Sequence, residues 1–598
     1  MLRAFGRVLA GLSVICGCSS RAVTTPPPGP AVVAAAASGA PAPPDVVDYR
    51  LSPVMEGDGL VALAVEMRLL ADPSGVTRLH LPQQWASERE LWRYVRDLRI
   101  EGGTTVAEDG PAVRVIEAAP GTELIVHYRV VSAYDHEPSA TDGQPFAPIV
   151  RPAWFYAFGE ALFAAPEGRD GTPAQFSWTD APSDMSLVSD LQHLEAYGGT
   201  VADVRDSIVM GGASVRLYTE RDGEAPIRVA MLGEYAFADD AFVRVAQEIL
   251  DGERDFWGEH GEPFTIVLAP LLAVEGSRSL GGTGRGDAFT IIMSQDAPIE
   301  PLRHLIAHEY FHTWNSDRLG GQHDGPSEMA GKWFSEGFTE FYTWRLLLRS
   351  GLYRVEDWVA DWNAALAEYA ASPVRNEPNA RVIADYWNVP AVGRLPYRRG
   401  PLLAAIWDQR LRASTSGARG LDDVLHAMRQ AVRDAGDERP AADAASLFVE
   451  TFVAAGGPDL GPDLERFIDR GETIALPEDV FGGCIRVVTE TRPVFDRGWD
   501  AEATNAADNV VTGLRRGSPA YRAGLRDGMR LLARLGGAPG DSTVPYVVRV
   551  ADGTREREIT FRPRGEGRLT VQRLEIVGAK TVAEREACAR TIAGGSPP

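Results

Sequence analysis

Positive charge is scarce in this chain. Sixty Lys and Arg stand against 83 Asp and Glu, a formal net charge of −23. Nucleic-acid binding requires a concentrated cationic face, so that class of partner is excluded. The acidity serves the solubility of a large exported protein. Long apolar runs are missing too: nothing after the first few residues is long enough to be a transmembrane helix. No internal repeat is present. Histidine is rare, with ten in 598 residues, and cysteine rarer, with four. What remains is an ordinary globular composition, 44% hydrophobic and 24% charged, which excludes global disorder and a multi-span membrane protein. The length is too great for a single core, so several domains are expected.

The N-terminus carries an export signal. Arg3 and Arg7 precede the apolar run Val8 to Ile15, which is too short to span a bilayer but suits a signal-peptide core. A small residue directly before a Cys at the end of such a core resembles a bacterial lipoprotein cleavage site. Gly17 fits that place better than Ile15, so cleavage after residue 17 and lipidation of Cys18 are expected, against an ordinary cleaved signal. The protein is then exported and held at the bacterial cell envelope by an N-terminal lipid anchor, facing the periplasm or the cell surface. Cys484 and Cys588 would remain, and an oxidising compartment allows them to pair, although sequence does not set the distance between them.

Residues 18–46 are rich in Pro, Ala, Ser and Gly and almost uncharged, and read as a tether. From Val47 to about 225, short β-type runs such as 60–65, 113–116 and 124–130 alternate with turn signals, as in an antiparallel β-domain. The period then changes. Asp240–Asp255 reads as an amphipathic helix, and 264–268 and 288–293 as strands on either side of a Gly-rich stretch, 276–286. Helical patterns dominate from Pro301 to about Asp469, including 401–411 and 421–434. Short strands return after that, with one short helix near 519–523. The whole is a multidomain α+β chain.

The segment His304-Leu-Ile-Ala-His308-Glu309-Tyr-Phe-His312 carries the chemistry. Residues four apart share a helix face. His308 and His312 can therefore offer two imidazoles to one Zn²⁺, with Glu309 beside them as general base for a metal-activated water. Chance predicts on the order of 0.01 such pentapeptides in a chain of this composition. Glu336 follows 24 positions after His312, in WFSEGFTEFY, and supplies a third ligand from a second helix. Two His and one Glu leave the fourth zinc position open, the catalytic arrangement. Glu340, one turn beyond, either orients a ligand histidine or is a solvated carboxylate. His304 and the loop residue His323 are weaker candidates for contact with the metal.

HEYFHTWNSDRL followed by WFSEGFTEFY resembles the glycyl aminopeptidase family of gluzincin metallopeptidases, metallopeptidase family 61. The resemblance implies an N-terminal β-domain over 47–225, a thermolysin-like, mostly helical zinc catalytic domain over 226–475, a PDZ-like β-domain over 476–580 and a tail, 581–598. PYRRGPLLAAIWDQRLR (396–412) is similar to the Tyr-x-Lys-Gly element of related aminopeptidases, which makes Tyr397 a stabiliser of the developing oxyanion, with Arg399 in place of the Lys. RRGSPAYRAGLRDGMRLL (515–532) resembles a PDZ core, and Gly482 and Gly483 stand where a carboxylate-binding loop would receive a peptide end. Gly281 and Gly282 match the substrate-aligning glycines of the family. The Glu-His that usually follows is missing, and Arg285 brings a cation that would repel an α-ammonium group, with Asp287 as a displaced compensator.

The expected activity is zinc-dependent hydrolysis of peptide or protein substrates, as aminopeptidase or endopeptidase. A catalytically silent, lipid-anchored scaffold that binds peptides through the PDZ-like domain is the rival, and a structural zinc a third reading. Substrate and oligomeric state are left open.

Overall fold

The computed structural model describes residues 45–594, apart from 87, 143–144, 195–197, 221–225, 261, 275–276, 316, 322–325, 437–442 and 538–539. The signal segment 1–17, Cys18, most of the tether and His323 lie outside the described residues. The chain forms two compact units that meet in sequence between Leu305 and Ile306, inside the helix Glu300–Phe311. No helix of the described residues is long and apolar enough to cross a membrane.

The first unit opens with β-structure, as the alternating runs require. Val47–Glu56 buries every second side chain along most of its length, the signature of a strand with one face on a core. It pairs antiparallel with Gly59–Leu70, which pairs with Glu123–Val130. One neighbour departs from the expected antiparallel pattern: Ala174–Trp178 runs parallel to Val47–Glu56, returning to it from far along the chain. Tyr49 and Tyr128 are wholly internal, and their hydroxyls donate to the carbonyls of Ala164 and Leu162, so neither phenol is buried unpaired.

A second sheet in this unit has the order 216–220, 227–231, 264–271, 288–294, 280–285. Its three middle strands are parallel. The amphipathic helix expected at 240–255 is present as Asp239–Trp257 and makes the crossover between 227–231 and 264–271. Ala288–Ser294 is buried at every position, which is why it reads as a continuous apolar run. The edge strand Leu280–Arg285 was expected only as a Gly-rich stretch. It pairs antiparallel with 288–294, setting Gly282 against Ile291. A Cβ on Gly282 would come 2.5 Å from the Phe289 ring, so close packing rather than flexibility explains this glycine.

The second unit is helical up to about Asp469. Lys332–Arg349 buries every side chain from Lys332 to Leu348. It lies against Leu395–Ser414, and the two helices touch at Gly337 and Gly400. A Cβ on Gly337 would sit 2.3 Å from the Gly400 Cα, so only glycine permits so close a crossing. This contact sets the spacing between Glu336 and Tyr397. Trp333, Phe334, Phe338, Trp407 and Phe448 interlock beside it.

Beyond the helices, Ile485–Phe495 pairs with Arg564–Ile576, and three strands, 530–536, 546–552 and 555–561, form a separate sheet. The short helix expected near 519–523 is Pro519–Arg522, its end capped by the Ser518 hydroxyl. Asn363 of the helix Val355–Ala371 donates to the Leu574 carbonyl and accepts from the Leu574 N–H. Phe481 packs edge-on against Trp358 and Trp362. Cys484 and Cys588 form a disulfide with Cα atoms 5.7 Å apart, which joins the turn before Ile485 to the terminal helix Val582–Ile592. The pairing left open by the sequence is thus present.

Candidate metal centre

Helix periodicity brings the two histidines together. His308 and His312 stand one turn apart, and their Nε2 atoms are 3.3 Å from each other. Glu336 of the second helix completes a triangle: its Oε2 is 3.5 Å from His308 Nε2 and 3.4 Å from His312 Nε2. A tetrahedral zinc with bonds of about 2.0–2.1 Å holds neighbouring donor atoms about 3.3–3.4 Å apart. The three edges match that spacing.

The outer atoms of the ligands are also accounted for. The His308 Nδ1–H donates to Glu340 Oε2 at 3.2 Å, and the His312 Nδ1–H to the Asn315 carbonyl at 2.8 Å. Both acceptors fix the tautomer that leaves Nε2 free to bind a metal. Glu336 Oε2 is buried and accepts no hydrogen bond, while Oε1 accepts from Lys332 Nζ at 3.2 Å. Two imidazole lone pairs and a carboxylate oxygen converging in a buried place call for a cation. Burial opposes the charge on Glu336, yet the Lys332 ammonium and the imidazoles hold its carboxyl well below the usual range. Burial likewise disfavours charged His308, but Glu336 and Glu340 outweigh it and lift its pKa to about 9. The cluster attracts positive charge, and the donor set fits zinc.

Of the other residues singled out in the sequence, Glu309 is buried beside the ligands on the same helix. Tyr397 comes to the site from the third helix: its ring lies over that of His308, centroids 5.7 Å apart and planes 23° apart, and its hydroxyl is 3.4 Å from that of Tyr386. Glu340 is no solvated carboxylate but is buried, held between His308 and Arg398 Nη1 at 3.2 Å. Arg398 in turn donates to Glu368. Arg399, which replaces the family's Lys, is buried and donates to the Arg375 and Glu377 carbonyls, a backbone clamp. His304 is not part of the metal-binding group.

Three contributors escaped the sequence. Lys332 and Arg398 gave no signal beyond charge on a helix, and the Asn315 carbonyl gave none. Gly281 and Gly282 belong to the first unit, on the edge strand 280–285, whose second edge pairs with no other strand among the described residues. Gly482 lies in the turn before Ile485 and donates its N–H to Asp479 O, and Gly483 beside it is exposed.

Arg285 requires a correction. Its guanidinium was expected to repel a substrate amine. Instead it is buried in the first unit, with Nη1 2.7 Å from Asp206 and Nη2 3.8 Å from Glu160. Its Cζ also lies over the Trp85 ring, 3.6 Å from the centroid. Its charge is balanced internally, so the repulsion does not follow.

A sequence model of the M61 glycyl aminopeptidase family matches residues 301–387, the span holding both metal segments. No curated protein sequence matches the chain significantly. Among solved structures, an aminopeptidase N family protein of Idiomarina loihiensis is similar in fold, with TM-score 0.63 and 15% identity over 91% of this chain and 100% of that one. An M1 zinc metallopeptidase from Deinococcus radiodurans aligns at TM-score 0.44 and 15% identity, over 73% of this chain and 95% of that one. With the family match and the His-His-Glu triangle in place, the class is settled: the chain is a zinc metallopeptidase, and its cofactor is Zn²⁺. Its metal-binding segment is similar to that of the M61 glycyl aminopeptidase family.

Proposed function

We propose that this protein hydrolyses peptide bonds at the bacterial cell envelope, with His308, His312 and Glu336 as the zinc ligands. The observation that carries this reading is the triangle of donor atoms with edges of 3.3, 3.4 and 3.5 Å. Bound zinc supplies Lewis acidity to water and to the scissile carbonyl. Glu309 takes a proton from the attacking water and returns one to the leaving amine. Tyr397 donates its phenolic proton in a hydrogen bond to the carbonyl oxygen as charge develops there. Glu340, itself held by Arg398, keeps the His308 ring in place.

In sequence, Gly281 and Gly282 match the substrate-aligning glycines of the family that the metal segments resemble. Gly281-Gly282 is followed by Thr283-Gly284, with no carboxylate to receive a free amine. Internal cleavage is therefore the specificity we favour over strict aminopeptidase action. Envelope location is supported by the signal-like segment ending in Gly17-Cys18 and by the disulfide, which belongs to oxidising compartments. The PDZ-like reading of the C-terminal strands rests on their motif and on the capped helix Pro519–Arg522. No ligand or base is missing from the centre, so nothing favours the silent scaffold.

The test pairs peptides that differ only in a free or an acetylated N-terminus, digested by residues 19–598. Cleavage of both supports internal cleavage; cleavage of the free peptide alone would make it an aminopeptidase. Retention of a Cys18→Ser variant in the membrane fraction would overturn the lipid anchor.

A further inference from the structure

Lys332 is the least expected residue of the metal centre. Its side chain is fully buried, although lysine is almost never so unless paired. It also opens the helix Lys332–Arg349, where the helix dipole disfavours a cation. Two costs at one position call for a reason beyond packing. The ammonium lies between two carboxylates, 3.2 Å from Glu336 Oε1 and 3.1 Å from Glu328 Oε1. It also faces the Tyr386 ring, 5.7 Å to the centroid, whose hydroxyl meets that of Tyr397.

We propose that Lys332 is a positioning residue that acts as a built-in counter-cation of the zinc ligand Glu336, competing with the metal for that carboxylate and tuning its affinity, with Glu328 taking up the lysine when zinc binds. Glu336 presents one oxygen to the lysine and the other to the two imidazoles, which makes it a one-oxygen ligand. In the metal-free protein the lysine is a fixed positive charge on one oxygen of the buried Glu336 carboxylate, whose other oxygen faces the two imidazoles. With zinc bound, the same ammonium is a like charge close to a divalent cation. Linkage then requires that removing it should cost the metal-free form more than the zinc form, the difference appearing as tighter zinc binding. Glu328 works in the opposite sense. It draws the lysine away from Glu336, and losing it leaves the lysine wholly on the zinc ligand. This inference rests on the assignment of Glu336 as a zinc ligand but not on peptide hydrolysis, so a failure of the one is distinguishable from a failure of the other.

The experiment measures zinc affinity by competition with a chelator, using the full-length mature chain, for wild type, Lys332→Met and Glu328→Gln. Lys332→Met should bind zinc roughly ten- to a hundredfold more tightly, and its metal-free form should lose more thermal stability than its zinc form. Glu328→Gln should bind zinc several-fold more weakly. The visible spectrum of the Co²⁺ form should change in Lys332→Met, since a merely structural lysine would leave the ligand field unmoved. Affinities within twofold of wild type in both variants, or a loss of affinity in both, would overturn the proposal. If Lys332→Met does not fold, the sign of the Glu328→Gln effect decides alone.

Discussion

Replacing Glu340 by Gln tests whether the surroundings of the ligands matter as much as the ligands. Both oxygens of Glu340 are engaged, Oε2 by the His308 Nδ1–H and Oε1 by Arg398, each at 3.2 Å. Both partners are donors. A glutamine has one acceptor oxygen, so its amide NH₂ must face either the imidazole N–H or the guanidinium, donor against donor. If the oxygen stays with His308, the bond is no longer charge-assisted and Arg398 loses one of its two carboxylates. If it turns to Arg398, His308 loses the partner that fixes its tautomer. Either way the metal site loosens by about 1.4–2.7 kcal/mol, the equivalent of a ten- to hundredfold weaker zinc affinity. Chelator competition at neutral pH measures this directly. Zinc affinity of Glu340→Gln within twofold of wild type would refute the reasoning, because the His308–Glu340 contact would then contribute nothing.

Tyr397→Phe should lower kcat about a hundredfold or more with little change in KM, since the phenol acts only on developing charge; an unchanged kcat would remove Tyr397 from the mechanism. Asp190 supplies a pH-dependent test of the first unit. Burial pushes its carboxyl from 3.8 up to about 8, against the Ile208 N–H that favours the charged form and with Asp287 and Asp206 adding to the rise. The folded chain thus holds a proton that the unfolded chain has released, and this contribution to stability fades as pH rises from about 4 through about 8. Asp190→Asn should flatten that part of the stability–pH curve, and melts at pH 5 and pH 9 with an unaltered slope would contradict it. Opening the disulfide across its 104-residue separation should cost about 4.7 kcal/mol in chain entropy. The denaturant midpoint of Cys588→Ser reads this, and an unmoved midpoint would show that the contacts of Arg345 and Arg349 with the Ala593 carbonyl suffice alone.

The grouping of the three proposed zinc ligands was legible in the sequence because it depends on local geometry. His308 and His312 need only helix periodicity, and Glu336 only a second helix at a sensible distance. Tyr397 was reachable through a motif alone, since its approach to His308 depends on the crossing at Gly337 and Gly400. Lys332 and Arg398 were illegible for a related reason: a charge on a helix acquires meaning only when its partner is known, and here the partners are Glu336 and Glu340. The strand 280–285 was hidden because its glycines carry no β-propensity, and at Gly282 the closeness of the Phe289 ring leaves no room for a side chain. Arg285 was misread because position along a strand does not say which way a side chain turns. It points to Asp206, Glu160 and Trp85, partners distant in sequence.

The most direct test of the central claim is a single comparison of wild type with Glu309→Gln, measuring bound zinc and peptide hydrolysis on the same preparations. The expected result is one equivalent of zinc in both proteins, with the rate in Glu309→Gln reduced by about 10²–10⁴-fold. Full zinc with undiminished hydrolysis would contradict the account, since the base would then lie elsewhere.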